Sequence, residues 1–409
     1  MTEFLLLLIV FIEMAFSFFL SVFGISVESG QLQVLYIVLC SITYIYIAFK
    51  SIINRIVFVS VLRIAFVFAF IALLGVISTF LYPTVRYKIN LELLSFMSTG
   101  LCCSCLTSVM LIENTSYKAY RLLPAFLFLS TVMLLITLIE GEVNVAHLIN
   151  NSNAIDYQKG SYFAAYCLLL SLLCLTKKNG EEKSQKTRAL NMFYFGIFML
   201  SIFEILFYGG RGGFVLSIIG SLLVYLLNRK NIKSLKLIAC CVVVFLGVIA
   251  LSHLNVVGFN RIKSFFKSIG NDDRLDLYKK AIFGFYKSPV FGNGLGSVYY
   301  YVGYYSHNIF TDVLCDFGLL GLSIIVGLIC AFYCKAFKWF RNNGNKLGIE
   351  FVVLFFTFGF VQSLFSGYFL SNHMLWVMVG FYVLPKSIVR LALCENNGGS
   401  GYELSCYDK

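Results

Sequence analysis

The sequence predicts an all-α integral membrane protein: a polytopic bundle of about 12 transmembrane helices with one large outer loop that contains an amphipathic helix. Three observations predict it. Of 409 residues, 59% are hydrophobic and only 13% are charged, with a mean hydropathy of +0.84. A soluble chain of this length carries roughly a quarter of its residues as charges, so a water-soluble globule and a disordered tail are both excluded. The apolar residues come in runs of about 20 without polar alternation, which suits helices crossing a hydrocarbon core and not the alternating strands of a barrel. Only 4 prolines interrupt the chain, so the helices should be long. The net charge of +12 would suggest a nucleic-acid partner in a soluble protein. Here it fits the cationic connections that hold helices in a bilayer, and no nucleic acid is expected.

Reading for apolar runs gives spans at about 4–24, 33–49, 57–80, 91–112, 122–140, 160–176, 190–208, 213–227, 235–256, 308–334, 350–368 and 372–391. Cations concentrate on the cytoplasmic side, which tests the count. Connections after even-numbered spans hold Lys50 and Arg55, then Lys118 and Arg121, then Lys177, Lys178, Lys183, Lys186 and Arg188. Arg229, Lys230, Lys233 and Lys236 follow the eighth span, Lys335, Lys338, Arg341 and Lys346 the tenth, and Lys386 and Arg390 the twelfth. Connections after odd-numbered spans are poorer in cations, apart from Arg86 and Lys88 after the third. The stretch 257–307 breaks the pattern, as long loops do. Both termini are therefore expected in the cytoplasm. Met-Thr-Glu at the start lacks the basic residues of a cleaved leader, so the first span is expected to stay as a helix. The organisation expected is one transmembrane domain over 1–394, with the large outer loop at 257–307, and a short cytoplasmic tail over 395–409.

The thirteen cysteines form no disulfide framework, because all lie in expected spans or near the tail and none falls in the large loop. Cys102, Cys103 and Cys105 have the spacing of a metal site. With no histidine nearby in an apolar helix, they are expected to pack as small hydrophobes.

Function in so apolar a chain should sit where polar residues persist at membrane depth. Three places stand out, all in outer positions. In Tyr208-Gly209-Gly210-Arg211-Gly212-Gly213, glycines open the backbone around an arginine at a helix start, where free N–H groups already favour an anion. A guanidinium adds a fork that matches phosphate oxygens. A tight hairpin whose arginine reaches the lipid headgroups explains the same residues. In the outer loop, Arg274 opens a segment with Leu275, Tyr278, Ile282 and Phe285 at helical spacing, an amphipathic helix for the membrane surface that also carries Lys279. A turn follows, Pro289-x-x-Gly292-x-Gly294-x-Gly296, which lacks the ending of a nucleotide loop and reads as flexible. Lastly, His307, Asn308, Asp312 and Asp316 are expected within about three turns of one helix. His147, His253 and His373 are expected to be structural. Glu204 is a candidate partner for one of these cations, and Glu13 for Arg63.

Taken in order, Gly-Gly-Arg211-Gly-Gly, Arg274, the proline-glycine turn and His307-Asn308 leading to Asp316-x-Gly318-Leu-Leu-Gly321 resemble the O-antigen polymerase and O-antigen ligase superfamily. The resemblance covers about 205–325. It implies a glycosyltransferase of the Gram-negative inner membrane, with its site at the periplasmic face and undecaprenyl-diphosphate-linked oligosaccharides as donor and acceptor. It also implies that no metal and no cofactor is needed. The developing charge on the departing diphosphate is then met by guanidinium groups, for which Arg211 and Arg274 are the candidates. His307 is the candidate proton acceptor, or else a hydrogen-bond donor to the diphosphate. Asn308, Gly210, Gly212, Tyr304, Tyr305 and Lys279 are candidates for binding substrate. The tyrosines from Tyr299 to Tyr305 either stack on sugar faces or form an interfacial belt. Polymerase is the expectation, with a chain-length regulator as a potential partner. Ligase is the nearest alternative, and an oligosaccharide flippase is disfavoured by the missing repeat.

Overall fold

The computed structural model describes residues 1–9, 29–113, 121–132, 134–135, 157–176, 185–228, 274–343 and 348–384. Most of the expected first span, the span 235–256, the loop residues 257–273 and the tail 395–409 lie outside the described residues, as do Glu13, His147 and His253. Among the described residues every regular element is helical. Six helical stretches are long and apolar enough to cross a membrane: Arg55–Leu81, Pro83–Ile112, Gln158–Thr176, Arg188–Tyr208, Arg211–Asn228 and Ile309–Phe340.

Helices α1 (Ser29–Ile53) and α2 (Arg55–Leu81) are separated by Asn54 alone, whose Oδ1 accepts the amides of Ile56 and Val57 at 2.9 and 3.4 Å and starts α2. One side of α2 buries Val57, Ser60, Ile64 and Phe68. The other leaves Phe58, Leu62, Phe66, Phe70 and Leu73 exposed at about helical spacing, an apolar surface that suits lipid rather than water. Pro83 then starts a 3-10 turn over Pro83–Val85, since its fixed φ suits a first helical position. Helix α3 (Arg86–Ser95), a π-turn over Phe96–Gly100 and α4 (Leu101–Ile112) follow without a gap. The connection expected after the third span is therefore little more than Tyr82, and Arg86 and Lys88 belong to a helix. The cysteines at 102, 103 and 105 are buried in α4 as free thiols.

After α5 (Arg121–Val132), helices α6 (Tyr157–Thr176), α7 (Gln185–Tyr208) and α8 (Arg211–Asn228) pack together. Helix α9 (Arg274–Lys287) and the short α10 (Ser297–Val302) lead to α11 (Ile309–Asn343) and α12 (Ile349–Phe365). A 3-10 turn at His373–Trp376, with His373 buried, and α13 (Val377–Tyr382) end the described chain. The twelfth span is thus a broken, short segment as far as it is described. It wraps α4: the Ser104 hydroxyl donates to the Trp376 carbonyl at 2.7 Å, and Trp376 packs edge-on against Phe96.

Helix α12 is the hub, with Ile349 to Gly359 buried. It stacks Phe358 on Tyr166 of α6 (ring centroids 4.3 Å apart) and places Phe356 against Phe332 of α11 (4.2 Å).

The expected tenth span holds the main departure. Helix α11 breaks at Gly318, whose φ of 64° and ψ of −159° no helix contains. A continuous helix would pair the amides of Leu319 and Leu320 with the carbonyls of Cys315 and Asp316. Instead, those amides donate to the Pro289 and Val290 carbonyls at 2.9 and 3.1 Å. The freed carbonyls of Cys315 and Asp316 accept from the amides of Asn293 and Gly294 at 3.1 and 2.8 Å. Two intrahelical bonds are exchanged for four that clasp the proline-glycine turn. The turn that reads as flexible in the sequence is held at both ends, because the helix break supplies the partners.

Candidate active site

Asp316 completes this clasp. Fully buried, it accepts the amides of Gly296 and Val298 at 2.8 and 2.9 Å, the Ser297 hydroxyl at 2.9 Å and the Tyr368 hydroxyl. Four donors around one carboxylate offset its loss of water. Asn293 adds a second knot: its Nδ2 donates to the carbonyls of Gly284 and Cys315 at 2.8 and 3.0 Å, and its carbonyl accepts the Tyr82 hydroxyl at 2.8 Å. Gly284 lies against Cys315 and Tyr301, which brings α9 onto α11.

His307 and Asn308 stand on this base, but not as part of the helix. Asn308 Oδ1 accepts the Phe310 amide at 2.9 Å and caps α11. His307 lies just before it with φ at 62°, the one non-glycine at positive φ among the described residues. L-residues pay for that conformation, and such costs gather at functional sites. Asp312 holds the turn: its Oδ1 accepts the Ser306 amide at 2.8 Å, and the Ser306 hydroxyl pairs with Thr311 at 2.5 Å. The Tyr305 ring packs edge-on to His307 with centroids 4.5 Å apart, and Tyr304 donates to the Tyr305 hydroxyl at 3.0 Å. Burial pushes the Tyr305 phenol well above its ordinary range, helped by Tyr304.

The tyrosine run divides by burial. Tyr299 is buried, donates to Glu92 Oε1 of α3 at 2.5 Å and meets Tyr368 edge-on at 5.3 Å. Burial first, then the charge of Glu92, holds its phenol far above the usual range, and Asp312 adds to the effect. Tyr301 donates to Asn293 Oδ1 at 3.3 Å. Tyr300 and Tyr304 remain exposed.

Arg211 is the first residue of α8 and half-buried, after Gly209 at a φ of 64°. The glycines around it serve a close helix crossing. The Ser161 hydroxyl donates to the Gly210 carbonyl at 3.0 Å, a side chain on Gly212 would strike Tyr162, and one on Gly213 would strike the Ser161 backbone. Ser366 in turn donates to the Tyr162 hydroxyl at 3.3 Å, two residues before Tyr368. The Arg211 turn and the Asp316 clasp are thereby joined through α6 and the segment after α12. Glu204 is fully buried on α7, four residues before Tyr208.

Arg274 opens α9 and is half-buried. Ala281 and Gly284 are the buried positions of α9. Leu275, Ile282, Phe283 and Tyr286 stay exposed, while Tyr278 and Phe285 are half-buried, so the outward apolar face differs from the one the spacing suggests. Lys279 is exposed. Its neighbour Lys280 pairs with Asp276 at 2.7 Å and, through that hydrogen bond, holds the carboxyl below its ordinary range. Among the described residues no group of three or more His, Cys, Asp or Glu is arranged to hold a metal ion.

The contacts bring together connections that the sequence places on one side. Tyr82, after the third span, meets Asn293; Gly210, after the seventh, meets Ser161; Ser366 and Tyr368, after the eleventh, meet Tyr162 and Gly296. Glu92 and Tyr368 belong to this cluster without having been singled out in the sequence. Glu92 had a signal, a carboxylate at the start of an apolar run. Tyr368 had none among 25 tyrosines.

A family model described as O-antigen ligase matches residues 196–326. The match supports membership of the O-antigen ligase and polymerase superfamily. The matched segment runs from within α7 to the first half of α11, so it holds the Arg211 turn, Arg274, the clasp and His307. Superfamily members are membrane enzymes of the glycosyltransferase kind, polymerases or ligases, that handle lipid-linked polysaccharides. Glu92, Tyr162 and Tyr368 lie outside the matched segment. No curated protein and no solved structure matches the chain.

Proposed function

We propose that this protein is a polysaccharide polymerase of the inner membrane that joins undecaprenyl-diphosphate-linked repeat units at the periplasmic face. The observation that supports the proposal is the run of contacts from Gly210 through Ser161, Tyr162 and Ser366 toward Tyr368 and the Asp316 clasp, with Arg211, Arg274 and His307 all inside the segment matched by the family. Arg211 and Arg274 bind the diphosphate of the donor and offset the charge that develops as it leaves. Lys279 supplies a more distant cation on the same helix as Arg274. Gly210 and Gly212 let the backbone at the start of α8 come close to the phosphates. His307, fixed by the Ser306 and Asn308 turn, donates to the diphosphate, and Tyr304 and Tyr305 offer ring faces to the sugars. Asn308 orients a sugar hydroxyl through its Nδ2, its Oδ1 being engaged in the cap. The new bond forms as the sugar–diphosphate bond breaks, on the opposite face, so the anomeric configuration inverts.

Ligation of a finished glycan to lipid A-core uses the same donor site and is the second reading. Deletion of the gene and a lipopolysaccharide gel separate the two. Core carrying a single repeat unit means a polymerase; bare core with long glycan left on its lipid carrier means a ligase.

A further inference from the structure

We infer that Glu92 takes the proton of the attacking sugar hydroxyl, an assignment that rests on the glycosyl-transfer reading above. Glu92 stands on α3, more than a hundred residues before the family segment, yet the fold brings it against Tyr299, which lies inside that segment. Tyr299 donates to its Oε1 at 2.5 Å. Its Oε2 is buried with no hydrogen-bond partner among the described residues. A buried carboxylate oxygen left without a donor is costly and calls for a function. Tyr305, six residues beyond Tyr299, packs edge-on against His307, so the residue that holds Glu92 and the residue that packs on His307 belong to one short segment. One turn along the same helix comes the π-turn Phe96–Gly100, a distortion that recurs near functional sites.

The chemistry divides cleanly on this geometry. The acceptor hydroxyl gives its proton to Glu92 Oε2 while its oxygen bonds to the anomeric carbon. The bond from that carbon to the diphosphate oxygen breaks, and its electron pair leaves with the diphosphate beside the arginines and His307. Glu92, now a carboxylic acid, returns the proton to water. Asp312 is the competing carboxylate, since its Oδ2 is also buried without a partner among the described residues. It is fully buried and its other oxygen holds the Ser306 amide, whereas Glu92 keeps partial exposure. We therefore place Asp312 as the residue that shapes the His307 turn.

The test uses the full-length chain in membranes of a strain lacking its own copy, with the polyprenyl-diphosphate-linked repeat unit isolated from that strain as substrate. E92Q should lower kcat by on the order of 10²–10⁴-fold with KM unchanged, and E92D should recover part of the loss. Wild-type turnover in E92Q, a rise in KM that accounts for the whole effect, or full loss in D312N with E92Q active would overturn the assignment. Should E92Q fail to accumulate, Y299F carries the test, because it keeps the carboxylate and removes its donor. A kcat fall of about tenfold is then expected, and an unchanged kcat overturns the idea. A wild-type chain that extends nothing from this substrate defeats the polymerase reading itself, and the assignment falls with it.

Discussion

The carboxylate of Asp316 accepts the backbone amide of Gly296 at 2.8 Å, across twenty residues of sequence. That bond ties the end of the proline-glycine turn to the broken helix α11, and with it the segment leading to His307. Replacing Asp316 by Ala leaves the amides of Gly296 and Val298 and the Tyr368 hydroxyl buried without their acceptor. A loss of about 3 kcal/mol is expected. Thermal unfolding in detergent should show a lower Tm, together with a lower level of protein in the membrane. An unchanged Tm would mean the clasp contributes nothing to stability.

Gly318 should tolerate no side chain. Its φ and ψ lie where only glycine is comfortable, and a Cβ would sit 2.6 Å from the Val290 backbone. Gly318→Ala is expected to cost about 1–3 kcal/mol from the backbone alone. Gly327, nine residues on in the same helix, has open space around it. Gly327→Ala should be neutral or stabilising by up to about 1 kcal/mol. Equal Tm values for the two variants would contradict the break.

At His307 the usual order of residues reverses. With φ at 62°, His307→Gly should be more stable than His307→Ala by about 1 kcal/mol, although glycine is the poorer choice within a helix. Both variants should lose glycan extension if the imidazole binds the diphosphate. The comparison of Tm and ladder formation separates backbone strain from side-chain function.

Arg211 tests the donor site. Arg211→Ala is expected to lower transfer on the order of 10²–10³-fold, with membrane levels unchanged because the residue is only half-buried. Arg211→Lys should restore little, since an ammonium lacks the paired donors of a guanidinium. Quantified lipopolysaccharide ladders beside an immunoblot measure both. Full activity in Arg211→Ala would remove this arginine from the mechanism.

Metal removal addresses the same point from another side. If guanidinium groups meet the charge of the leaving diphosphate, EDTA should leave the rate of chain extension in washed membranes unchanged. Activity abolished by EDTA and restored by Mg²⁺ would refute the arginine reading.

How much of this was legible beforehand depends on the kind of information. The apolar runs located α1, α2, α4 to α8, α11 and α12, and the amphipathic spacing located α9, because burial in lipid needs only length and hydrophobicity. Element ends were less legible. Arg86 and Lys88 read as loop cations, yet Pro83 started a helix ahead of them. The family motifs were visible as residues, but their packing was not. Gly212 also lies against Tyr162, and the turn that reads as flexible is held by four backbone hydrogen bonds to the broken helix.

By itself, the sequence determined that this chain folds as apolar helices, which helix ends carry its polar residues, and which superfamily its middle third matches. Those properties follow from local composition and spacing. Only the tertiary structure decided that Asp316 binds a turn rather than a substrate, that His307 sits in a left-handed turn, and that Glu92 and Tyr368 join them. Hydrogen bonds across twenty to two hundred residues depend on where separate helices end in space, and that is set by packing around α12.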